Sequence, residues 1–324
     1  MKVLIAPLNW GLGHATRCIP LIRKHIAAGD EVVIGGDGES LLLLKRTFPD
    51  LNYVPLVSLR LHYDAGKRQS RFYLRAIPQL ICFSLRDRLC LKRLLAAEPF
   101  DLIISDNRFG LRNRRTRCVY MTHQLYVRLP QRMRLLQPVA QAIHRAVYRR
   151  FDEVWVPDYA DTRHNLSGAL SHGGSMDKQV RYIGPLSRLE VPTVVAPSPY
   201  ETVAVLSGLE PQRTLLEQEI VQRFAHSDRR VLIVRGKMNE PMTRIAVGNI
   251  TIVPYIDDIS LVCALLGATH IIVRSGYSTV MDLAHLGVLH KVEWHPTPDQ
   301  PEQEYLAKIL NDNHYRLATR TTIP

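Results

Sequence analysis

Cysteine is scarce and scattered. Five residues, at positions 18, 82, 90, 118 and 263, are odd in number and nowhere in a C-x-x-C spacing. That excludes a disulfide scaffold and a thiolate-rich zinc site, and leaves reduced, mostly buried thiols in a cytoplasmic protein as the expectation. Long apolar runs are also missing, and none approaches the roughly 18 residues of a membrane span. Met1-Lys2-Val3-Leu4-Ile5 enters a strand pattern at once, so no secretory leader is expected. The dinucleotide fingerprint is absent, because Gly11-Leu12-Gly13 runs into His14-Ala15-Thr16 rather than a third glycine. No D-x-D pair stands at a strand end, and Asp257-Asp258 reads more simply as a helix cap. No cofactor and no obligatory metal are therefore expected. Internal repeats and low-complexity tracts are lacking too.

What is present suits a soluble protein of two α/β domains. The chain has 324 residues, 46% of them hydrophobic, and a mean hydropathy of -0.08. Its charge is lopsided. Residues 1–150 carry 26 Lys and Arg against 10 Asp and Glu, a net +16, while residues 151–324 carry a net −4. A basic half of this kind suits an anionic partner, and nucleic acid and anionic lipid head groups are the two main candidates.

Taken in order, the chain alternates strand and helix patterns. Lys2 to Leu8 reads as a strand, then the glycine loop, then a helix carrying Ile19, Leu21, Ile22 and Ile26 and closed by Gly29. Strands follow over 31–36 and 52–57, with a helix over 38–47 between them. The stretch 58–97 interleaves Arg60, Lys67, Arg68, Arg71, Arg75, Arg86, Arg88, Lys92 and Arg93 with aliphatic and aromatic residues, and Pro78 is expected to divide it into two helices. Two readings are open there: an interfacial membrane contact, or a core-packing helix with a solvated arginine face. Strands over 101–105 and 118–122, a basic helix over 131–150, and short strands over 153–156 and 181–183 complete an N-terminal domain, residues 1–185. The proline-rich stretch 186–200 reads as a linker. The C-terminal domain, residues 201–324, has strands over 202–206, 231–234, 250–254, 270–273 and 289–294 and helices over 211–225 and 258–267 and up to about 311.

Candidate site residues cluster where strands end, since ligands bind at the carboxyl edge of such sheets. His14, Asp106 and His123 follow three N-terminal strands, with Gly11, Gly13 and Asn107 in the adjoining loops. A capping histidine is the alternative for His14. The most informative stretch of the second half runs from Ile271 to Gly287. A buried strand gives way to Arg274-Ser275-Gly276, then Ser278 and Thr279 open a helix. Such a helix start, with its unpaired N–H groups and positive dipole end, suits a diphosphate, and Asp282 one turn in suits a ribose hydroxyl. An ordinary βα unit with a Ser/Thr cap is the alternative.

Four pieces together resemble the MurG-like glycosyltransferases. They are Gly11-Leu-Gly13-His14, Ser207-Gly208, Arg274-Ser-Gly276-Tyr-Ser-Thr-Val-Met-Asp282, and Pro298-Asp-Gln300-Pro-Glu-Gln303. The resemblance implies the α/β GT-B fold, two Rossmann-like domains facing each other across a central cleft. It implies an inverting transfer of a sugar from a nucleotide sugar, UDP-linked, to a lipid-linked or other hydroxyl acceptor. The donor would be held by Ser207, Gly208, Arg213, Arg235, Tyr255, Ile256, Ser275, Gly276, Ser278, Thr279, Asp282, Gln300 and Gln303. His14, Asp106 and His123 would serve catalysis beside the acceptor loop of Gly11, Gly13 and Asn107. The sequence departs from MurG itself: the first loop lacks the fuller glycine run, Asp282 stands for Glu, and the paired glutamines are spaced as Gln300 and Gln303. MurG's own sugar and acceptor therefore do not transfer. The expected setting is cytoplasmic, peripheral at the inner face of the membrane through the basic half, with no nucleic acid partner. Two other readings compete: a UDP-sugar 2-epimerase on the same architecture, and a basic nucleic-acid-binding protein.

Overall fold

The computed structural model describes residues 1–58, 69–174, 176–208 and 210–312, and side chains except those of 69–77. It divides into two units, Met1–Leu186 and Ser187–Pro324.

Unit 1 is built on seven parallel strands. These are β1 (Lys2–Pro7), β2 (Glu31–Gly36), β3 (Asn52–Pro55), β4 (Leu102–Asp106), β5 (Arg117–Met121), β6 (Glu153–Val156) and β7 (Val180–Tyr182). They lie in the order β3-β2-β1-β4-β5-β6-β7. The chain winds outward one way from β1 to β3, then returns and winds the other way from β4. The gap between β1 and β4 is thus a topological switch point, where loops part and leave room for a ligand. Both faces of the sheet are covered, and its strands read as near-continuous apolar runs for that reason. Helices α1 (Gly13–Ala27) and α2 (Gly38–Thr47) follow β1 and β2. On one face, Leu91 of α3 (Gln69–Ala97) and Tyr148 of α4 (Gln137–Tyr148) join a cluster with Leu4, Ile103, Tyr120 and Val154.

Two local expectations change here. Helix α3 runs unbroken through Pro78. Proline forfeits one backbone bond, at a cost of about 3 kcal/mol, which tertiary packing along a long amphipathic helix can offset. The basic helix expected over 131–150 is instead a 3-10 turn, Gln131–Leu136, followed by α4. Pro138 has no N–H to carry the ladder back to residue 134 but fits a helix's first turn. The membrane-facing candidates Arg60, Lys67 and Arg68, and the side chains of Arg71 and Arg75, lie outside the described residues.

Unit 2 has six strands: β8 (Thr202–Val205), β9 (Val231–Val234), β10 (Ile245–Val247), β11 (Ile250–Val253), β12 (His270–Val273) and β13 (Val292–Trp294). Their order is β10-β11-β9-β8-β12-β13. All pairs are parallel except the β10–β11 hairpin at the edge, where the sequence reading lacked β10: it is only three residues long, too short for a strand period to show. The start expected for the last strand at 289 is a 3-10 turn, Leu289–Lys291, and β13 begins after it. Helices α5 (Gln212–Phe224), α6 (Asp258–Gly267), α7 (Tyr277–His285) and α8 (Pro301–Asn311) alternate with the strands. The switch point here lies between β8 and β12. Residues 183–201 carry no helix or strand.

Candidate active site

The switch point of unit 1 holds four side chains that the sheet register brings together. Pro7 of β1 pairs with Asp106 of β4, and Asp106 pairs with Met121 of β5, so the three strands end level. His14 leaves the first turn of α1, and Asp106 is the last residue of β4. His123 stands two residues past β5. His14 Nδ1 lies 3.0 Å from Asp106 Oδ2. Between these groups lies a residue that the sequence reading missed, Arg17. It is 2% exposed and grips the fully buried Asp106 with Nε at 2.8 Å and with Nη2. Its Nη1 is 3.0 Å from His123 Nδ1, and its Nη2 is 2.8 Å from His14 Nδ1.

The charges of this cluster compensate one another. Burial alone would raise the Asp106 carboxyl, but Arg17 and then His14 hold it down at about 2. Asp106 is therefore a fixed anion. Burial is the largest influence on His14 and lowers its affinity for a proton; Asp106 pulls the other way, and Arg17 and His123 add to the lowering. The start of α1 works in the same direction, because a cation is disfavoured at a helix N-terminus. His14 is thus a neutral imidazole at pH 7, ordered by a carboxylate. Cys18, buried 3.9 Å from Asp106, has its thiol pushed well up by that burial and stays protonated.

The adjoining loop residues have structural reasons for their identity. Gly11 has φ 77°, a conformation open to glycine, and its carbonyl accepts from Ser40 Oγ at 3.2 Å. Gly13 opens α1, and its carbonyl accepts from Thr16 Oγ1. Asn107, at φ 55°, accepts from the Tyr120 hydroxyl.

In unit 2, β8 leads through Leu206 into Ser207-Gly208, and β12 leads into Arg274-Ser275-Gly276. The two strands are direct neighbours, with Val205 beside Val273, so these two loops share one edge. Gly208, exposed at φ 95°, has nothing within 4 Å of where a Cβ would stand. Gly276 caps α7 without a side-chain bond, and the first turn, with Ser278 and Thr279, holds no acidic residue. The amide edge of α7 therefore keeps its positive end uncancelled by a cap or a carboxylate in the turn. Asp282 faces residues from the interdomain stretch: Ser187 Oγ donates to its Oδ1 at 2.6 Å, and Arg188 beside it pairs with Asp258. Burial pushes the Asp282 carboxyl up to about 6, against the pull of Ser187 and Arg188.

Several other candidates are held by protein partners. Ser275 is fully buried and donates to the Gln303 carbonyl. Gln303 accepts from Thr297 N and donates to Gln300 Oε1, so it braces the loop before α8 as well as its neighbour. Arg235 makes a two-pronged ion pair with Glu217, and Arg213 bonds Glu210 and the Gly236 carbonyl. Tyr255 and Ile256 are half-buried just after β11. Arg274, which the sequence motif contains but to which no role was given, is 5% exposed and spans the carbonyls of Gln212, His295 and Pro296, tying three loops of this edge together.

No protein-family model matches the chain. An uncharacterised glycosyltransferase of Methanosarcina mazei is 22% identical over the whole chain and 87% of its own length. Among solved structures, the glycotransferase of kitacinnamycin superposes with a TM-score of 0.62 at 14% identity, over 98% of this chain and 95% of its own. The spinosyn rhamnosyltransferase SpnG, complexed with thymidine diphosphate, gives 0.59 at 14% identity, over 98% and 94%. By sequence the chain is similar along its whole length to glycosyltransferases, and by structure it has the GT-B fold.

Proposed function

We propose that this protein is an inverting glycosyltransferase that moves a sugar from a nucleoside diphosphate to a hydroxyl acceptor. The observation that carries the reading is the His14–Asp106 pair at the switch point of unit 1: a neutral, carboxylate-ordered imidazole is what deprotonation of a hydroxyl at neutral pH requires. In the reaction, the acceptor oxygen forms a bond to the anomeric carbon as its proton passes to His14. The bond from that carbon to the diphosphate breaks, and the leaving group departs with the electron pair. Direct displacement inverts the anomeric centre.

The leaving diphosphate gains charge, and the start of α7 with Ser278 and Thr279 would hold it, beside Ser207 and Gly208. Asp282 would accept from the ribose, displacing Ser187. The backbone at Tyr255 and Ile256 would meet a pyrimidine base, uridine on the strength of the motif resemblance, and Gln300 would meet the sugar. The MurG-like motifs and the basic N-terminal half favour a lipid-linked acceptor at an anionic membrane surface.

A thermal-shift panel of nucleotide sugars tests the donor, since a ligand bound by the native state raises its unfolding temperature. Asp282→Ala should weaken binding of the preferred nucleotide by about 1–3 kcal/mol, as for a lost charge-assisted bond. Unchanged affinity by titration calorimetry would remove Asp282 from the donor site.

A further inference from the structure

Arg17 is an odd residue for its position. It is a cation near the N-terminal end of α1, where the helix dipole opposes it, and it is almost wholly buried. A structural salt bridge to Asp106 would need only one edge of the guanidinium. Here the second edge is used too, with Nη1 3.0 Å from His123 Nδ1. Guanidinium N–H groups only donate. The nitrogen of His123 that meets them must carry a lone pair, so its proton sits on Nε2.

His14 faces a choice. Its Nδ1 has Asp106 Oδ2 at 3.0 Å and Arg17 Nη2 at 2.8 Å. Were Arg17 to donate to it, both histidines would hold their protons on Nε2 and the site would contain no base. Were Nδ1–H to donate to the carboxylate, the bond would be charge-assisted and Nε2 would keep its lone pair. Arg17 Nη2 already has Asp106 Oδ1 as an acceptor, and Oδ2, which accepts from Arg17 Nε, has a second lone pair with which to accept from the ring.

We propose that Arg17 is a positioning residue that gives the two histidines opposite hydrogen-bonding roles, fixing His123 with its proton on Nε2 and holding Asp106 so that it fixes His14 with its proton on Nδ1. At Nε2, His14 then accepts a proton and His123 donates one. This rests on the transferase reading for its purpose but not for its test. Asp106 from β4 and Arg17 from α1 face the rings, His123 acts on His14 through its charge, and Cys18 lies behind Asp106.

The decisive measurement is nitrogen NMR of the histidine rings in the intact protein, assigned through loss of signals in His14→Gln and His123→Gln. In the wild type, Nδ1 of His14 and Nε2 of His123 should appear protonated, and the opposite nitrogens unprotonated. In Arg17→Lys, which keeps the charge but not the planar fork, His123 should show both tautomers. In the same variant, turnover should fall by roughly 10²-fold, at the low end for a displaced acid–base group, while KM for the nucleotide sugar stays within about twofold. A wild-type His14 protonated on Nε2, or a wild-type His123 protonated on Nδ1, overturns the proposal. So does an Arg17→Lys spectrum indistinguishable from wild type. If Arg17→Lys does not fold, the wild-type spectrum alone decides. Failure of the transferase reading looks different: no sugar transfer by a wild type whose histidines have the stated tautomers.

Discussion

At the scale of single residues, the two candidate carboxylates are tuned in opposite directions, and each makes a separable prediction. Asp106 is an anion under all ordinary conditions, whereas Asp282 titrates near pH 6. Because the folded state raises the Asp282 pKa above its unfolded value near 3.8, the native protein binds the extra proton between about pH 4 and pH 6. Its contribution to stability therefore falls as pH rises through that window. Asp282→Asn should raise the unfolding temperature at pH 8 while weakening nucleotide binding, the pattern of a site strained for a ligand. Calorimetric scans at pH 5 and pH 8 check it, and a destabilised Asp282→Asn at pH 8 would show that the carboxylate is at rest on Ser187. His14, lowered by burial, should leave the acid limb of kcat/KM below the ordinary imidazole value of about 6.5. His14→Ala should cut turnover by roughly 10²–10⁴, with donor affinity changed by less than about 1 kcal/mol. Single-turnover transfer beside equilibrium binding on that variant decides between a base and a cap.

The residues at strand ends were legible because the period-2 and apolar-run signals locate strands, and a strand's last residue faces the ligand edge in this class of sheet. Asp106 is such a residue, and His14 and His123 lie past strands that end at the same edge. Arg17 was not legible in this way, because it lies inside the helix that follows, among Ala15, Cys18 and Ile19, and its burial depends on β4 and β5, which are far off in sequence. A cation at the wrong end of a helix dipole was the available signal. For Gln303 and Ser275, a motif gave the positions, and the loop packing that engages their side chains has no local signature at all.

At the scale of elements, α3 carries a buried ionic clamp beside its apolar packing. Arg108, fully buried after β4, reaches Asp87 on α3 at 2.6 Å, donates to Ser58 Oγ and the Val57 carbonyl, and stacks over Phe83 at 4.9 Å. Burial raises the Asp87 carboxyl despite this partner. Removing one charge strands the other, so Arg108→Met should cost about 3–5 kcal/mol, and the double variant Arg108→Met, Asp87→Leu should cost clearly less. Urea unfolding with a double-mutant cycle measures it, and additive losses would mean that the two side chains act separately. The clamp joins α3 to the loops on either side of it, which fits a proline-bearing helix that continues where sequence alone expects a break. Local propensity sets a helix's weak points, and long-range burial decides whether they give way.

At the scale of the whole molecule, the charge asymmetry has a place in the fold. Helices α3 and α4 cover the same face of the first sheet, and each turns an apolar stripe outward. On α3 it is Ile81, Leu85 and Leu89, one turn apart; around α4 it is Leu135, which is 95% exposed, with Leu136, Val139 and Ile143. Between positions 107 and 151 the chain has eleven arginines and no acidic residue. Arg145 and Arg149 are bound to Asp177, while Arg86, Arg88, Arg132 and Arg134 are exposed beside the stripes. A groove of about 320 Å³ lined by Tyr126, Val127, Arg134, Gln137, Pro138 and Gln141 opens next to α4. No helix of the described residues is long and apolar enough to cross a membrane. The proposed membrane contact would use this face, with apolar side chains at the head-group boundary and arginines on anionic lipid. The wild type should sediment with phosphatidylglycerol vesicles at low salt, weakly with phosphatidylcholine, and come off the anionic vesicles by about 0.5 M salt as exposed charge is screened. Replacing Arg86, Arg88, Arg132 and Arg134 with Gln should reduce sedimentation at low salt, and Leu135→Ser with Ile143→Ser should reduce what survives at intermediate salt. Neither change should alter nucleotide affinity, since none of these residues lies in unit 2. Equal sedimentation of both variants would move the contact to another surface, and a wild type that ignores anionic vesicles would point to a freely soluble acceptor.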